Sequence, residues 1–261
     1  MSAPTPEIIE AVSFIQRNLH ESLSLNVIAK HVGYSPYHFV RKFKNEIGIS
    51  PLYYVSALRL DKAKRLLVHT NLGVRDIGLE IGQQSLGTFT TRFTERVGVS
   101  PGRFRESLAN AEGHLQALQR LQKWSSTRAA APPINSVSGT ITAGSPFSGV
   151  VLVGLFSKPI PEGLPRYGTL LSGSDDFCFL NVAPGTYYLL ATAVSWGMEG
   201  KDFLLPQQTL RGRLKTAIVM RPFAAVEGIR LQLHPPKQDD PPILISLPLL
   251  MNNFLLKQRN W

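Results

Sequence analysis

The feature that most constrains this chain is a pattern it carries twice. Residues 33–54 read GYSPYHFVRKFKNEIGISPLYY, and residues 82–104 read GQQSLGTFTTRFTERVGVSPGRF. In each, a glycine is followed by a Phe-x-x-x-Phe pair and then by Gly-x-Ser-Pro-x-x-aromatic. From Phe39 and Phe89 onward the copies lie fifty positions apart, whereas Ile28, Val32 and Gly33 match Ile77, Ile81 and Gly82 at an offset of forty-nine. The one-residue difference therefore falls between the glycine and the next helix, where a helix-turn-helix has its turn. A solenoid of this period needs three or more repeats, and the chain has two.

Side chains recur at helical spacing through both copies. Phe39 and Phe43 share one face, and Tyr37, Arg41, Lys44 and Asn45 fall on the opposite one. In the second copy Phe89 and Phe93 point inward while Gly87, Thr91 and Thr94 point out. Each helix should stop at Gly48 or Gly98, since glycine tolerates the left-handed conformation just past a helix end. Ser50 and Ser100 are then expected to be N-caps, with Pro51 and Pro101 at the first helical position, where a missing N–H costs nothing. The remaining helices are predicted over 7–19, over Leu25–Val32 with Ser24 as cap, over Pro51–Val68 as a strut, and over Val74–Ile81.

This arrangement resembles the DNA-binding region of the AraC/XylS family of transcription regulators. The resemblance covers roughly residues 7–107, and its signals are the two helix-turn-helix units, a connecting helix with Ala57, Arg59, Ala63 and Leu66-Leu67, and the paired Gly-x-Ser-Pro turns. Gln83 departs from it, because relatives usually carry an aromatic residue there. The resemblance implies a transcription regulator with double-stranded DNA as partner and RNA polymerase as a further candidate.

Beyond Phe104 the helix is expected to run on, with Leu108, Ala111, Leu115, Leu118 and Leu121 forming a stripe that packs on the chain's own domains. Residues 125–135, SSTRAAAPPIN, read as a linker. Short apolar runs bounded by turns follow: SGTITAG, GVVLVGLFSKP, YGTLLSG, DFCFLNV, GTYYLLATAVSW, TAIVM and GIRLQLH. They predict an antiparallel sandwich of about seven strands. The turn Ala183-Pro184-Gly185 before Tyr187 and Tyr188, with the Phe-x-Phe-Leu-x-Val strand ahead of it, resembles carboxypeptidase-regulatory or transthyretin-like (prealbumin-like) sandwiches. The tail opens with prolines that bar a helix, and should pack against the sandwich or the linker helix. The expected fold is thus multidomain: an N-terminal all-α double helix-turn-helix domain (1–107), a helical extension and linker (108–135), and a C-terminal antiparallel β-sandwich with its tail (136–261).

Charge sharpens the functional reading. The chain carries a net charge of +10. Residues 1–131 hold 17 Lys and Arg against 10 Asp and Glu, and residues 132–261 hold 11 against 8, so most of the excess sits on the half with the repeat. That favours a polyanionic partner. A single cysteine, Cys178, excludes an intrachain disulfide and a cysteine-only zinc cage. Placed between Phe177 and Phe179, it reads as a buried small hydrophobe. No phosphate loop, His-Glu-x-x-His helix or nucleophile elbow is present, and His20, His31, His38, His69, His114 and His234 show no metal spacing. Asp175-Asp176 and Asp239-Asp240 sit in turn-rich sequence, where local hydrogen bonding accounts for them. No enzyme activity, cofactor or metal is therefore expected. With no apolar segment long enough for a membrane span, the chain reads as soluble and cytoplasmic.

For DNA contact the candidates are Tyr37, His38, Val40, Arg41, Lys44 and Asn45 in the first recognition helix, and Ser85, Gly87, Thr88 and Thr91 in the second. Arg41 can donate twice to guanine O6 and N7, Tyr37 and Val40 can meet thymine methyls or backbone, and Lys44 suits phosphate. The second set is small and uncharged, so the first helix should dominate specificity. The sandwich has three open roles: effector sensing, oligomerisation or polymerase contact. Tyr167, Phe177, Tyr187, Tyr188 and Trp196 can line a small-molecule pocket or fill the core, and core is the default for at least half of them. The rival reading is a β-sandwich adaptor, binding a ligand or protein, whose basic helical half holds DNA without promoter selectivity. Oligomeric state is left open.

Overall fold

The Gly-x-Ser-Pro stretches close one helix and open the next. The computed structural model describes residues 4–83, 85–120, 134–144 and 146–259. Among the described residues seven helices come first: α1 (Pro6–Arg17), α2 (Leu25–His31), α3 (Pro36–Ile47), α4 (Pro51–His69), α5 (Val74–Glu80), α6 (Leu86–Val97) and α7 (Pro101–Arg120). At the ends of α3 and α6, Gly48 (φ 96°) and Gly98 (φ 92°) are left-handed, and their N–H groups bond the carbonyls of Lys44 and Thr94 at 2.9 Å. Ser24, Ser35, Ser85 and Ser100 accept from the backbone N–H three residues on, as caps do. Ser50 holds the extended cap conformation, but its hydroxyl makes no capping bond, so the expected side-chain cap is not formed there.

The repeat is also a repeat of packing. Phe39, Phe43 and Tyr54 stack at centroid distances of 5.5 and 5.6 Å, and Phe89, Phe93 and Phe104 at 5.7 and 5.8 Å. The aromatic residue that closes each motif therefore completes a three-ring core begun by the Phe pair, in edge and tilted geometries that favour ring–ring contact. Arginines tie the helices together. Arg59 donates to the carbonyls of Leu19 and Glu21, Arg105 to those of Leu67 and Leu72, and Arg96 lies 4.3 Å above the Tyr53 ring while donating to Ser56 Oγ at 3.0 Å.

The chain divides into two compact units, residues 1–105 with 237–244, and residues 106–236 with 245–261. The first thus includes a strap from far down the chain. Ile243 (5% exposed) and Leu244 (0%) are buried, and Gln238 donates to Ser13 Oγ. Lys64 on α4 is 0% exposed, donates to the Ile243 carbonyl at 2.8 Å and sits 5.5 Å from the Phe104 ring centre. Burial pushes its ammonium down to about 8 and pushes the Tyr54 phenol up to about 12.

The described residues of the second unit hold eight strands: β1 (Ser136–Ala143), β2 (Gly149–Phe156), β3 (Tyr167–Leu171), β4 (Asp176–Phe179), β5 (Gly185–Ser195), β6 (Arg211–Arg213), β7 (Ile218–Met220) and β8 (Ala225–Leu233), with helices α8 (Gly200–Leu204) and α9 (Leu247–Arg259). One sheet is ordered β4-β1-β8 and the other β3-β2-β5-β6, with β7 also on β5. Pairing is antiparallel throughout except between β1 and β8, which run parallel. The expected strands are all present, and β6 is additional. Val137, Ile141, Val151, Val153, Phe177, Phe179, Tyr187 and Leu231 form the core between the sheets. β2 is buried along its whole length, which accounts for the unbroken apolar run GVVLVGLF.

Two expectations change here. The tail is not barred from helix: Pro241 and Pro242 precede a non-helical stretch, but α9 starts at Leu247, and Pro248 occupies its first turn, where proline is tolerated. α9 packs on α8 and β3. Cys178 is half-buried rather than buried, because strand alternation sends Phe177 and Phe179 inward and the residue between them to the other face. Among the aromatic residues, Phe177 and Tyr187 lie in the core and Tyr167 packs against it, whereas Tyr188 and Trp196 are half-buried. Tyr167 Oη accepts from Ala183 N at 2.9 Å and Tyr187 Oη donates to Ala183 O at 2.9 Å, clamping the Pro-Gly turn from both sides. In the α7 stripe Ala111, Leu115 and Leu118 are buried and Leu108 is partly exposed. Leu121 and residues 125–133 of the expected linker lie outside the described residues.

Candidate nucleic-acid interface

With Phe39 and Phe43 buried, α3 can only turn its other side to solvent. Tyr37 (81% exposed), His38, Arg41, Lys44 and Asn45 are exposed there, and Val40 is half-buried at the edge. Basic character on this side is not cancelled by the helix's one acid. Glu46 bonds the Thr5 backbone N–H at 2.7 Å and pairs with Lys42 at 3.5 Å, while Lys42 also approaches the Tyr34 ring. His38 packs its ring against Tyr34, with 5.0 Å between centroids.

On α6, Ser85, Gly87, Thr88 and Thr91 are likewise exposed, opposite the buried Phe89 and Phe93. Ser85 and Thr88 are partly engaged with each other: Ser85 Oγ accepts from both the backbone N–H and the hydroxyl of Thr88, at 3.3 and 3.2 Å. Nothing lies within 4 Å of the space a Cβ would fill at Gly87, so the backbone there is open to close approach. Gln83, the departure noted in the turn, accepts from Arg92 Nη1 at 3.4 Å.

Glu95, an exposed acid one turn beyond Thr91, is not among the predicted residues. The offset of fifty, which pairs it with Asn45, was the signal available. All ten predicted residues belong to the helical unit, on helices joined by α4, whose 19 residues span about 28 Å at 1.5 Å each. Among the described residues no group of three His, Cys, Asp or Glu could hold a metal ion. Asp175 and Asp240 bond local backbone N–H groups, as turn residues do.

Comparison with known proteins bears on the same region. A helix-turn-helix domain family matches residues 28–107. The HTH-type transcriptional activator AarP of Providencia stuartii is 37% identical over 100 residues, which cover 38% of this chain and 74% of that protein. The chain belongs to the AraC/XylS-type helix-turn-helix family. A second relative, the bifunctional transcriptional activator/DNA repair enzyme AdaA of Bacillus subtilis, is 34% identical over 104 residues, covering 40% of this chain and 49% of that one. A solved AraC-type transcriptional regulator from Chromobacterium violaceum is 34% identical, covering 39% of this chain and 91% of that one, with a TM-score of 0.38. The chain spans less than half the length of the Bacillus relatives AdaA and YobQ. Among the described residues no helix is long and apolar enough to cross a membrane.

Proposed function

We propose that this AraC/XylS-type regulator binds DNA sequence-specifically by placing α3 and α6 in two successive major grooves. The observation that carries the reading is the duplicated three-ring core, which turns Tyr37, His38, Arg41, Lys44 and Asn45, and then Ser85, Gly87, Thr88 and Thr91, out to solvent from one compact unit. Arg41 lies directly opposite the Phe39–Phe43 seam and reads guanine through O6 and N7. Lys44, His38 and Asn45 hold phosphate or sugar, while Tyr37 and Val40 meet thymine methyls or backbone. Thr88 and Thr91 contribute methyl contacts and phosphate hydrogen bonds at a helix that Gly87 allows close to the DNA.

Residues 1–107 carry this activity, 108–135 extend and link, and the sandwich of 136–261 serves as sensor or oligomerisation module. The two tyrosines clamped on Ala183 support a carboxypeptidase-regulatory or transthyretin-like kind of sandwich. A small-molecule effector on that sandwich and contact with RNA polymerase belong to the same proposal, as does a cytoplasmic location. The test is a titration of the full chain against a duplex enriched from a random pool and against its scrambled counterpart, at two salt concentrations. A regulator keeps a ratio of about 10³ or more between the two duplexes while both affinities fall with salt. Equal affinity for both duplexes would make the chain an adaptor that holds DNA without selectivity.

A further inference from the structure

Where α3 places Lys44 and Asn45, the fifty-residue offset gives α6 Thr94 and Glu95. Glu95 is exposed on the same side as Thr91, opposite Phe89 and Phe93. Three physical arguments make a carboxylate costly there. It stands in the last turn of α6, where the helix dipole disfavours an anion. It lies on the side proposed to approach a polyanion. The one cation at ion-pairing spacing along the helix is also committed elsewhere, and the adjacent one faces another way. Arg92, three residues back, donates to Gln83, and Arg96, next in sequence, is buried over the Tyr53 ring and donates to Ser56. A residue that opposes its own helix, lacks the ion pair its neighbours can offer and repels the expected ligand is a conflict of the kind found at functional positions.

We infer that Glu95 is a specificity-determining residue that accepts a hydrogen bond from the exocyclic amino group of a cytosine in the groove occupied by α6. The inference rests on the proposed reading of α6 as a groove-entering helix. An ionised carboxylate can only accept. Of the bases, cytosine offers its N4 amino donor in the major groove, whereas adenine sets an N7 acceptor beside its N6 donor, and guanine and thymine present acceptors. Glu95 thereby adds one strongly read position to a helix whose other exposed groups are small and neutral. It acts as much by rejecting bases that present acceptors as by binding cytosine.

The test is selection from a random duplex pool with the full chain as wild type, Glu95→Gln and Glu95→Ala, followed by affinities for the enriched duplex and its single-base variants. Since Glu95 is exposed, circular dichroism of the variants should match wild type. Wild type is expected to prefer cytosine roughly ten-fold at one position of the α6 half. Glu95→Gln moves that preference to adenine, which a carboxamide can bond through N6 and N7, and Glu95→Ala removes it, with the α3 half unchanged in all three. An unchanged motif in both variants, with binding uniformly tighter, would show that Glu95 only repels phosphate and would overturn the inference while leaving the two-groove reading intact. A wild type that enriches no motif would overturn both.

Discussion

Lys64→Met is the perturbation whose effect the structure specifies best. The ammonium is sealed between α4, the Phe104 ring and the Ile243 carbonyl, and burial holds it at about 8 against an ordinary 10.5. A lysine whose folded pKa is depressed destabilises the fold wherever it is charged, here by roughly 3 kcal/mol. That penalty is fully present below pH 8. It is relieved as pH rises toward 10.5, because over that window the unfolded chain holds a proton that the folded one has released. Methionine removes the charge at nearly constant volume but leaves the Ile243 carbonyl without its donor, a cost of about 1–3 kcal/mol. At pH 7 the two effects nearly cancel, so the variant should lie within about 2 kcal/mol of wild type. Urea denaturation followed by circular dichroism at 222 nm, from pH 7 to 10, reads the difference. Wild type should gain on the variant by roughly 2–3 kcal/mol across the window. The rising Tyr54 phenol is common to both proteins and drops out. Parallel pH profiles, or a variant unfolded at pH 7, would show that Lys64 is neither sealed nor in balance with its acceptor.

Residues 1–107 produced alone should fold, and a peptide of residues 237–244, which carries the buried Ile243 and Leu244, should raise their stability with its concentration, by about 2.7 kcal/mol at a hundred times its Kd; no change at any concentration would make the strap a passive passenger. Arg41→Ala should leave the circular dichroism intact and weaken binding by about 1–3 kcal/mol at one or two base pairs. An even loss on every sequence would make Arg41 a phosphate contact. Gly98→Ala, at φ 92°, should cost about 1–2 kcal/mol in thermal or urea unfolding, and an unchanged midpoint would contradict the left-handed helix end.

The helical half was legible because its information is local. Phe spacing, Ser caps and Gly stops lie within a few residues of the structure they determine, and the duplication checks each reading against a second copy. The apolar strands were legible for the same reason. β6 escaped because Arg211–Arg213 is three residues with no apolar period, and its pairing is decided by β5. The parallel match of β1 with β8 joins the first and last strands, which no local pattern can announce. Burial of Lys64 has no local mark in the sequence, since its acceptor lies 179 residues away. In the candidate interface, exposure of the α3 and α6 residues followed from the buried Phe pairs, whereas the commitments of Arg92 and Arg96 beside Glu95 lie in contacts that sequence spacing does not give.

Hydroxyl-radical footprinting of the full chain on an enriched duplex tests whether one polypeptide reads two neighbouring grooves with unlike helices. Successive major-groove faces lie about 34 Å apart on one side of B-DNA, a separation that α4 and the flanking helices can bridge. Protection is expected on a single face over two adjacent grooves, at a site without palindromic symmetry. Base changes on the Arg41 side should be poorly tolerated, and changes on the Thr91 side should be tolerated except at the position facing Glu95. A palindromic site with one half read by each of two subunits, unaffected by substitutions at Thr91 and Glu95, would contradict it and reduce the second copy to a packing element.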